Sequence, residues 1–373
     1  MCHIDCAITL HSSKEYNMET HVEEFPLEIW LIIFQYLEAH DIFRAFNNLN
    51  SHFNRILSSN QLSLYVRLKE TDNNHLENPN NPYWSNSSLN RIVCLRPRVL
   101  SGSAYFLEFL RWHADKLIRL QSLTIKTQIR GISSIPDLSQ SLKRLNRLEY
   151  LSLTCASYKI IFDTVLELPT LRICQLILKE SPLFRDDFDL IHVNSSIKQL
   201  FIVFLDRIDY PLVNLLLSRT PELKRFELCG SSFSFISVSL FGERLFTLPE
   251  LRVLKLKLES GYLGSECFEC LHTTLPSLKH FYFHYTKHVL PAMFLERFVT
   301  HWWSIIESIQ RLDIYIKGHM LSDTTIPIIQ TSLQNNRQIL SEKIKQSNDC
   351  SKFEWNEQDF HRLKLIEITI LRN

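Results

Sequence analysis

Cysteine and histidine are the residues whose spacing could build a reactive or metal-binding site. Cys267 and Cys270 stand in the segment ECFECLH with the Cys-x-x-Cys spacing of zinc sites, and His272 follows them. A tetrahedral zinc site needs a second pair of ligands, but the sequence contains no other Cys-x-x-Cys. We therefore expect no metal and interpret this pair as buried helix cysteines.

Catalytic arrangements are not indicated either. No histidine stands beside a serine, cysteine or carboxylate in the context of an elbow or a triad. The chain has only 7 glycines, and a phosphate-binding loop requires several at fixed spacing. We therefore expect a protein that is not an enzyme and that uses no cofactor.

Length and composition favour a folded protein that is larger than one small domain. The 373 residues predict two modules or one elongated repeat array, and the formal net charge of +1 gives no indication of a nucleic acid partner. No apolar run reaches the roughly 20 residues that cross a membrane, and the start MCHIDCAITLHSSKEY lacks the features of a signal peptide. We expect an intracellular protein, cytoplasmic or nuclear, without a membrane partner and without disulfides.

A short apolar motif recurs through most of the chain. It consists of an apolar residue, two variable residues, an apolar residue, one variable residue and another apolar residue. The copies are LNRIVC at 89, LQSLTI at 120, LEYLSL at 148, LRICQL at 171, IKQLFI at 197, LKRFEL at 223, LRVLKL at 251, LKHFYF at 278, IQRLDI at 309 and LKLIEI at 363. Most copies follow one another at roughly 27 residues, and one cycle between 318 and 360 is obscured.

This motif at this period resembles the leucine-rich repeat over roughly residues 89–373. The resemblance implies an α/β solenoid with parallel strands on a concave face and helices on a convex face. The asparagine or cysteine that the family carries at the ninth position is absent, so we expect an irregular solenoid. Apolar spacing of the helical kind predicts the intervening helices. They are SAYFLEFLRWHADKL, YPLVNLLLSR and PAMFLERFVTHWWSIIESI.

The alternation of a strand predicts which side chains the concave face presents. The fourth and sixth residues of each copy point into the core, and the third, fifth and seventh point outward, including Arg91 and Val93 in the first copy. The candidates for substrate contact are an apolar pair and a basic and aromatic tract. They are Phe201, Val203, Lys255, Lys257, His280, Tyr282, His284 and Arg311. The tract suits an acidic or phosphorylated segment, and an ordinary solvated sheet face is the alternative.

The amino-terminal segment EEFPLEIWLIIFQYLEAHD, residues 23–41, predicts a helix with too much apolar surface for one core. Its apolar side spans more than twice the roughly 100° stripe of a surface helix. We interpret residues 1–21 as a flexible tail, 22–68 as a module and 69–88 as a linker before the solenoid of 89–373.

Within this module the sequence predicts three helices. The first covers 27–38, the second has Asp41 as its N-cap, and the third begins at Ser51. A module this short is near the lower size limit at which a single hydrophobic core can stabilise a fold. The first helix therefore packs one side on its sister helices and offers the other to a second protein.

The same residues resemble the F-box. The matching positions are Phe25-Pro26-Leu27-Glu28-Ile29, Ile33-Phe34-Gln35-Tyr36-Leu37, Asp41-Ile42, Leu49 and Phe53. Phe25 stands where the family usually has leucine, and Phe53 stands where it usually has tryptophan. The resemblance implies docking on the Skp-type adaptor of a cullin-RING ubiquitin ligase, with the repeats selecting a protein substrate. The adaptor-binding residues that it implies are Phe25, Pro26, Glu28, Ile29, Ile33, Leu37 and Phe53.

A second interpretation stays open. The helical module could be the cap that a solenoid needs at its end, in an interaction scaffold or inhibitor unrelated to ubiquitin. A cap accounts for one buried side of the first helix and leaves the other side unexplained.

Overall fold

A computed structural model describes a large part of the chain in two compact units, residues 1–65 and 66–373. The described residues are 24–68, 86–97, 103–126, 134–155, 159–179, 195–231, 247–259, 275–289, 309–321, 334–335, 338, 341–342, 350–360 and 363–372. Four predictions lie wholly or mostly outside the described residues. They are the flexible tail of 1–21, the linker of 69–88 up to residue 85, the cysteine pair at 267 and 270, and the helix from residue 291.

The described part of unit 1, residues 24–65, contains three short helices. They are α1 (Leu27–Gln35), α2 (Ala39–Phe46) and α3 (Ser51–Ser58). The first ends three residues earlier than predicted. The second begins at Ala39, so Asp41 lies in its first turn, and the predicted N-cap role of Asp41 is wrong. The third begins where predicted, because the side chain of Asn50 accepts a hydrogen bond from the Phe53 backbone N–H at 2.9 Å.

The core of unit 1 is built around one tryptophan. The ring of Trp30 lies 5.6 Å from that of Phe34, 5.6 Å from that of Phe46 and 4.7 Å from that of Phe53, measured between ring centres. Trp30 and Phe34 are one helical turn apart, so the same side of α1 supplies both to the core. Aromatic rings at tilted and edge-on angles are favourable at these distances.

Unit 2 is an α/β structure. The strands are β1 (Leu64–Leu68), which starts at the end of unit 1, β2 (Ile92–Pro97), β3 (Ser122–Lys126), β4 (Tyr150–Cys155), β5 (Ile173–Leu178), β6 (Gln199–Arg207), β7 (Arg225–Ser231), β8 (Val253–Glu259), β9 (His280–Val289), β10 (Arg311–Leu321), β11 (Cys350–Phe360) and β12 (Leu363–Arg372). The helices are α4 (Asn86–Leu89), α5 (Ser103–His113), α6 (Ser134–Lys143), α7 (Lys159–Glu167) and α8 (Tyr210–Ser218), and a 3₁₀ turn follows α5. A described helix lies between successive strands from β1 to β5 and between β6 and β7. None of the described helices has the length and apolarity to cross a membrane.

The strands form one sheet in the order β1-β2-β3-β4-β5-β6-β7-β8-β9-β10-β12-β11. From β2 to β10 each strand pairs parallel to the next. One continuous buried rung crosses the sheet at equivalent positions of the motif. It consists of Leu123, Leu151, Cys174, Leu200, Phe226, Leu254, Phe281 and Leu312. The α/β class with a parallel sheet is therefore as the sequence predicts, and the arrangement is compatible with a solenoid-like fold.

The last copy of the motif, at 363, is not a further parallel repeat. Strand β12 pairs antiparallel with both β10 and β11. Only residues 361 and 362 separate β11 from β12, and so short a connection joins antiparallel strands, whereas parallel strands need a longer crossover. The parallel part of the sheet ends with β10.

The first copy of the motif is out of phase with the others. Cys94 pairs with Ser122 and Leu95 with Leu123, so Val93 and Leu95 lie on the side of the sheet that carries the buried rung. Arg91 and Val93 are both buried, and the prediction that they face outward is wrong. Burial lowers the pKa of the Arg91 guanidinium, with a smaller contribution from Arg119.

Candidate functional site

One side of α1 carries an uncovered apolar stripe, which we call the α1 stripe. It consists of Ile29, Ile32, Ile33 and Tyr36, whose exposed fractions are 41%, 51%, 36% and 85%. The spacing of three and four residues places these side chains next to one another on the helix. Trp30 and Phe34, on the other side, are almost completely buried. The first helix therefore has one side in the core of unit 1 and one apolar side in solvent.

The other predicted adaptor-binding residues divide between surface and core. Phe25, Pro26 and Glu28 are exposed at the start of α1, and Leu37 is half-buried after its end. Phe53 is only 2% exposed and packs edge-on against Trp30. Phe53 thus lies in the core of unit 1, and its prediction as a docking residue is wrong.

In unit 2 the outward-pointing side chains of β3–β10 form a second surface, which we call the open face. Its three main rungs are Ser122, Tyr150, Ile173, Gln199, Arg225, Val253, His280 and Arg311; Thr124, Ser152, Gln175, Phe201, Glu227, Lys255, Tyr282 and Asp313; and Thr154, Ile177, Val203, Cys229, Lys257, His284 and Tyr315. Thr124, Ser152 and Thr154, at the β3–β4 end, share the register of this face and are buried, so they are not available for contact. All eight predicted substrate-contact residues lie on this face. Two of them lie on β6 and six on the adjacent strands β8, β9 and β10, and β7 lies between the two groups.

Carboxylates on the open face form ion pairs with several of its basic side chains. Glu227 accepts hydrogen bonds from the Arg225 guanidinium, one of them from Nε at 2.9 Å, and its other oxygen lies 3.8 Å from Lys255 Nζ. Lys257 Nζ lies 3.3 Å from Glu259. The tract that the sequence predicts as basic is therefore partly neutralised by acidic neighbours.

The aromatic part of the open face is paired as well. The guanidinium carbon of Arg311 lies 5.8 Å from the ring centre of Tyr282, within the range of a cation–π contact. His284 Nε2 lies 3.2 Å from Asp313 Oδ1, and the His284 ring centre is 5.7 Å from that of Tyr315. These contacts hold the outward side chains of β9 and β10 in defined positions.

An apolar patch lies next to the charged strands. Phe201 and Val203 on β6 are half-buried, Ile177 on β5 adjoins Val203, and the guanidinium carbon of Arg225 lies 5.5 Å from the Phe201 ring centre. Leu205, two residues further along β6, is 59% exposed. The six-residue motif ends at residue 202, so the motif did not predict Leu205 as part of this surface. The continued alternation of LFIVFL was the signal that could have found it.

Two reactive groups in the described residues have ordinary explanations. Glu38, His40 and Asp41 form the one described group of side chains whose geometry could hold a metal ion. The two ring nitrogens of His40 already face Glu38 at 3.3 Å and Asp41 at 2.9 Å. Burial raises the pKa of the Cys229 thiol, so this cysteine stays protonated and is a poor nucleophile.

No model of a known protein family matches the chain, and no curated protein matches it. The site must therefore be interpreted from its own geometry. The α1 stripe offers apolar surface to bury, and the open face offers apolar surface beside charged groups. Burial of apolar surface and pairing of charged groups are the interactions that stabilise protein–protein interfaces.

Proposed function

We propose that the chain is the substrate-recognition subunit of an SCF-type E3 ubiquitin ligase. In this proposal unit 1 is an F-box that docks on a Skp-type adaptor, and the open face of unit 2 binds a protein substrate. The observation that carries the proposal is the α1 stripe. A contiguous apolar patch that stays exposed in the folded chain is typical of a surface that binds another protein.

The α1 stripe has the spacing of helix-in-groove recognition. A partner groove contacts residues i, i+3, i+4 and i+7 of a helix, and Ile29, Ile32, Ile33 and Tyr36 occupy these positions. Complete burial of an isoleucine side chain contributes about 1.5–3 kcal/mol relative to exposure. The three isoleucines are already partly covered, so each contributes less than this on docking.

The mechanism in this proposal is proximity. A receptor holds a substrate lysine close to a charged ubiquitin-conjugating enzyme and so raises its effective concentration, without contributing a reacting group. A surface suited to binding and a separate docking helix are sufficient for such a role.

A titration of the purified full chain with a purified Skp-type adaptor tests the proposal. We expect the wild-type chain to bind and the double variant Pro26→Ala, Ile29→Asp to lose binding. Gln35→Asp is the matched control, because it adds the same charge to the exposed polar side of α1 and should bind as the wild type does. If the wild-type chain does not bind under conditions where another F-box protein does, the proposal is wrong.

The competing function is that of an interaction scaffold or inhibitor unrelated to ubiquitin. The open face supports it equally well, because partner binding by a sheet face does not depend on an adaptor. The α1 stripe favours the ubiquitin function, since a helical cap needs only the Trp30 side of α1.

A further inference from the structure

The charge and apolar pattern of the open face specifies the kind of segment that it binds. We propose that this face holds an extended acidic peptide, with an apolar anchor on β6 and a run of carboxylates over β8–β10. The inference rests on the proposed function only in identifying this peptide as part of the substrate.

The anchor position follows from the apolar patch. Phe201, Val203 and Leu205 are alternate residues of β6 and therefore point to the same side of the sheet, and the Arg225 guanidinium covers one side of the Phe201 ring. Leu205 is among the most exposed large apolar side chains of the described residues. An apolar side chain laid along this strand removes all three from water.

The charged strands select the remainder of the peptide. The described outward residues of β7–β10 include five bases against three acids. The bases are Arg225, Lys255, Lys257, Arg311 and Lys317, and the acids are Glu227, Glu259 and Asp313. An excess of positive charge on this side of the apolar patch favours an anionic ligand.

The placement of the bases favours several carboxylates over a single phosphate. Arg225 is held over Phe201, Lys257 lies beside Glu259, and Arg311 lies over Tyr282. These bases belong to different strands, and the contacts hold their charged groups apart. A phosphate, by contrast, is bound by donors that converge on one point. A run of acidic residues meets distributed bases one after another.

Strand spacing sets the distance between the two parts of the peptide. Neighbouring strands lie about 4.8 Å apart, so β8 is about 10 Å from β6 and β10 is about 19 Å from it. An extended chain covers about 3.3–3.6 Å per residue. The acidic run therefore starts about three residues from the anchor and ends about six residues from it.

Glu227 occupies part of the site that the ligand needs. It binds Arg225 and lies near Lys255, so a ligand carboxylate must compete with it for both bases. Removal of its charge should therefore strengthen ligand binding. An inert solvated face would not respond in this way.

The test is fluorescence anisotropy of a labelled peptide with the full-length chain at low salt. The peptide carries Leu-Phe, a spacer of about three Ser and Gly residues, and a run of Glu, and it is made in both chain directions. We expect one direction to bind. Lys255→Glu with Lys257→Glu should weaken binding about tenfold or more, and Glu227→Gln should strengthen it by about threefold to tenfold.

Two controls separate the contribution of the charged strands from that of the apolar patch on β6. Glu250→Gln removes a carboxylate that pairs with Lys224 outside the open face, at 3.4 Å, and should leave the affinity unchanged. Leu205→Ser should weaken binding of the peptide that carries Leu-Phe. It should not change the affinity for a peptide that carries Ser-Ser in that place. Circular dichroism of each variant excludes misfolding as the cause.

Three outcomes overturn the inference. They are equal binding of a peptide with Gln in place of Glu, no gain for Glu227→Gln, and tight binding of a phosphoserine peptide where the Glu peptide fails. Adaptor binding is measured separately through unit 1. A chain that binds the adaptor and not the peptide therefore refutes only this inference, and the reverse result refutes only the proposed function.

Discussion

The indole of Trp30 meets the ring of Phe53 edge-on, at 83° and with the ring centres 4.7 Å apart. This contact joins α1 to α3 and fixes which side of α1 is turned inward. Ile29 and Ile33 are then left on the outside of the same helix. The core of unit 1 and the α1 stripe are thus formed by different residues of one short segment, and mutations can separate their effects.

We expect Phe53→Ala to destabilise unit 1 by about 3–5 kcal/mol, because it opens a cavity beside Trp30. A loss of this size is comparable with the free energy of unfolding of so small a unit. The backbone amides of α1–α3 should therefore lose their protection from hydrogen exchange together. Tyr36→Ala should change stability by no more than about 0.5 kcal/mol, because its side chain is 85% exposed. Hydrogen exchange of peptides that cover residues 27–58 measures both effects. Protection in Phe53→Ala equal to that of the wild type would contradict the core assignment.

A buried hydrogen bond between helices gives a second prediction. The Ser139 and Thr164 hydroxyl oxygens lie 2.6 Å apart between α6 and α7, and the Thr164 hydroxyl donates its proton to the Ile160 carbonyl at 2.6 Å. Ser139 must therefore be the donor between the two side chains. Thr164→Val leaves this donor unpaired and should cost about 1–3 kcal/mol, whereas Ser139→Ala should cost about 1 kcal/mol or less.

Urea denaturation of the two single variants and of the double variant measures these costs. The double variant should be less destabilised than the sum of the single variants, because it removes donor and acceptor together. Equal costs for the two single variants would mean that Ser139 finds another acceptor, and the assigned direction would be wrong.

The sequence predicts the repeating part of the sheet well. Eight strands, β3–β10, each begin two residues after the start of a motif copy. This agreement has a physical basis, because burial of alternate residues is the same property that produces the motif. The outward positions of Phe201, Lys255 and Tyr282 follow from this alternation and agree with the structure.

The motif carries no information about strand direction or about contacts between side chains. The copy at 363 alternates like the others, yet its two-residue connection to β11 makes β12 antiparallel. Likewise, Glu227 stands outside the predicted basic tract, although it neutralises part of it. Phe53 could have been recognised, because Phe53, Ile56 and Leu57 have the spacing of a buried helix side.

Gly230 on β7 gives a third prediction. A Cβ atom at this position would lie 3.0 Å from Phe204 Cβ and 3.1 Å from the Phe204 carbonyl oxygen on β6. Neither atom can move without the strand itself, so Gly230→Ala should destabilise unit 2 by about 1–3 kcal/mol through overpacking. The midpoint of urea denaturation checks this, and Gly230→Val should have a larger effect. A midpoint unchanged by alanine would show that β6 and β7 can separate without cost.

The last prediction concerns the dependence of stability on pH. Burial lowers the pKa of His113, and Lys116 lowers it further. Its ring lies 4.9 Å from that of Phe109, and its Nδ1 is buried without a hydrogen-bond partner among the described residues. Below the unfolded-state pKa of about 6.5 the unfolded chain binds a proton that the folded chain does not yet bind, so stability falls as the pH falls through this range. His113→Phe keeps a ring against Phe109 and removes the titration. The melting temperature of this variant should therefore decrease less than that of the wild type between pH 7.5 and pH 5.5, values that we choose on either side of about 6.5. Equal decreases in the two proteins would contradict the assignment.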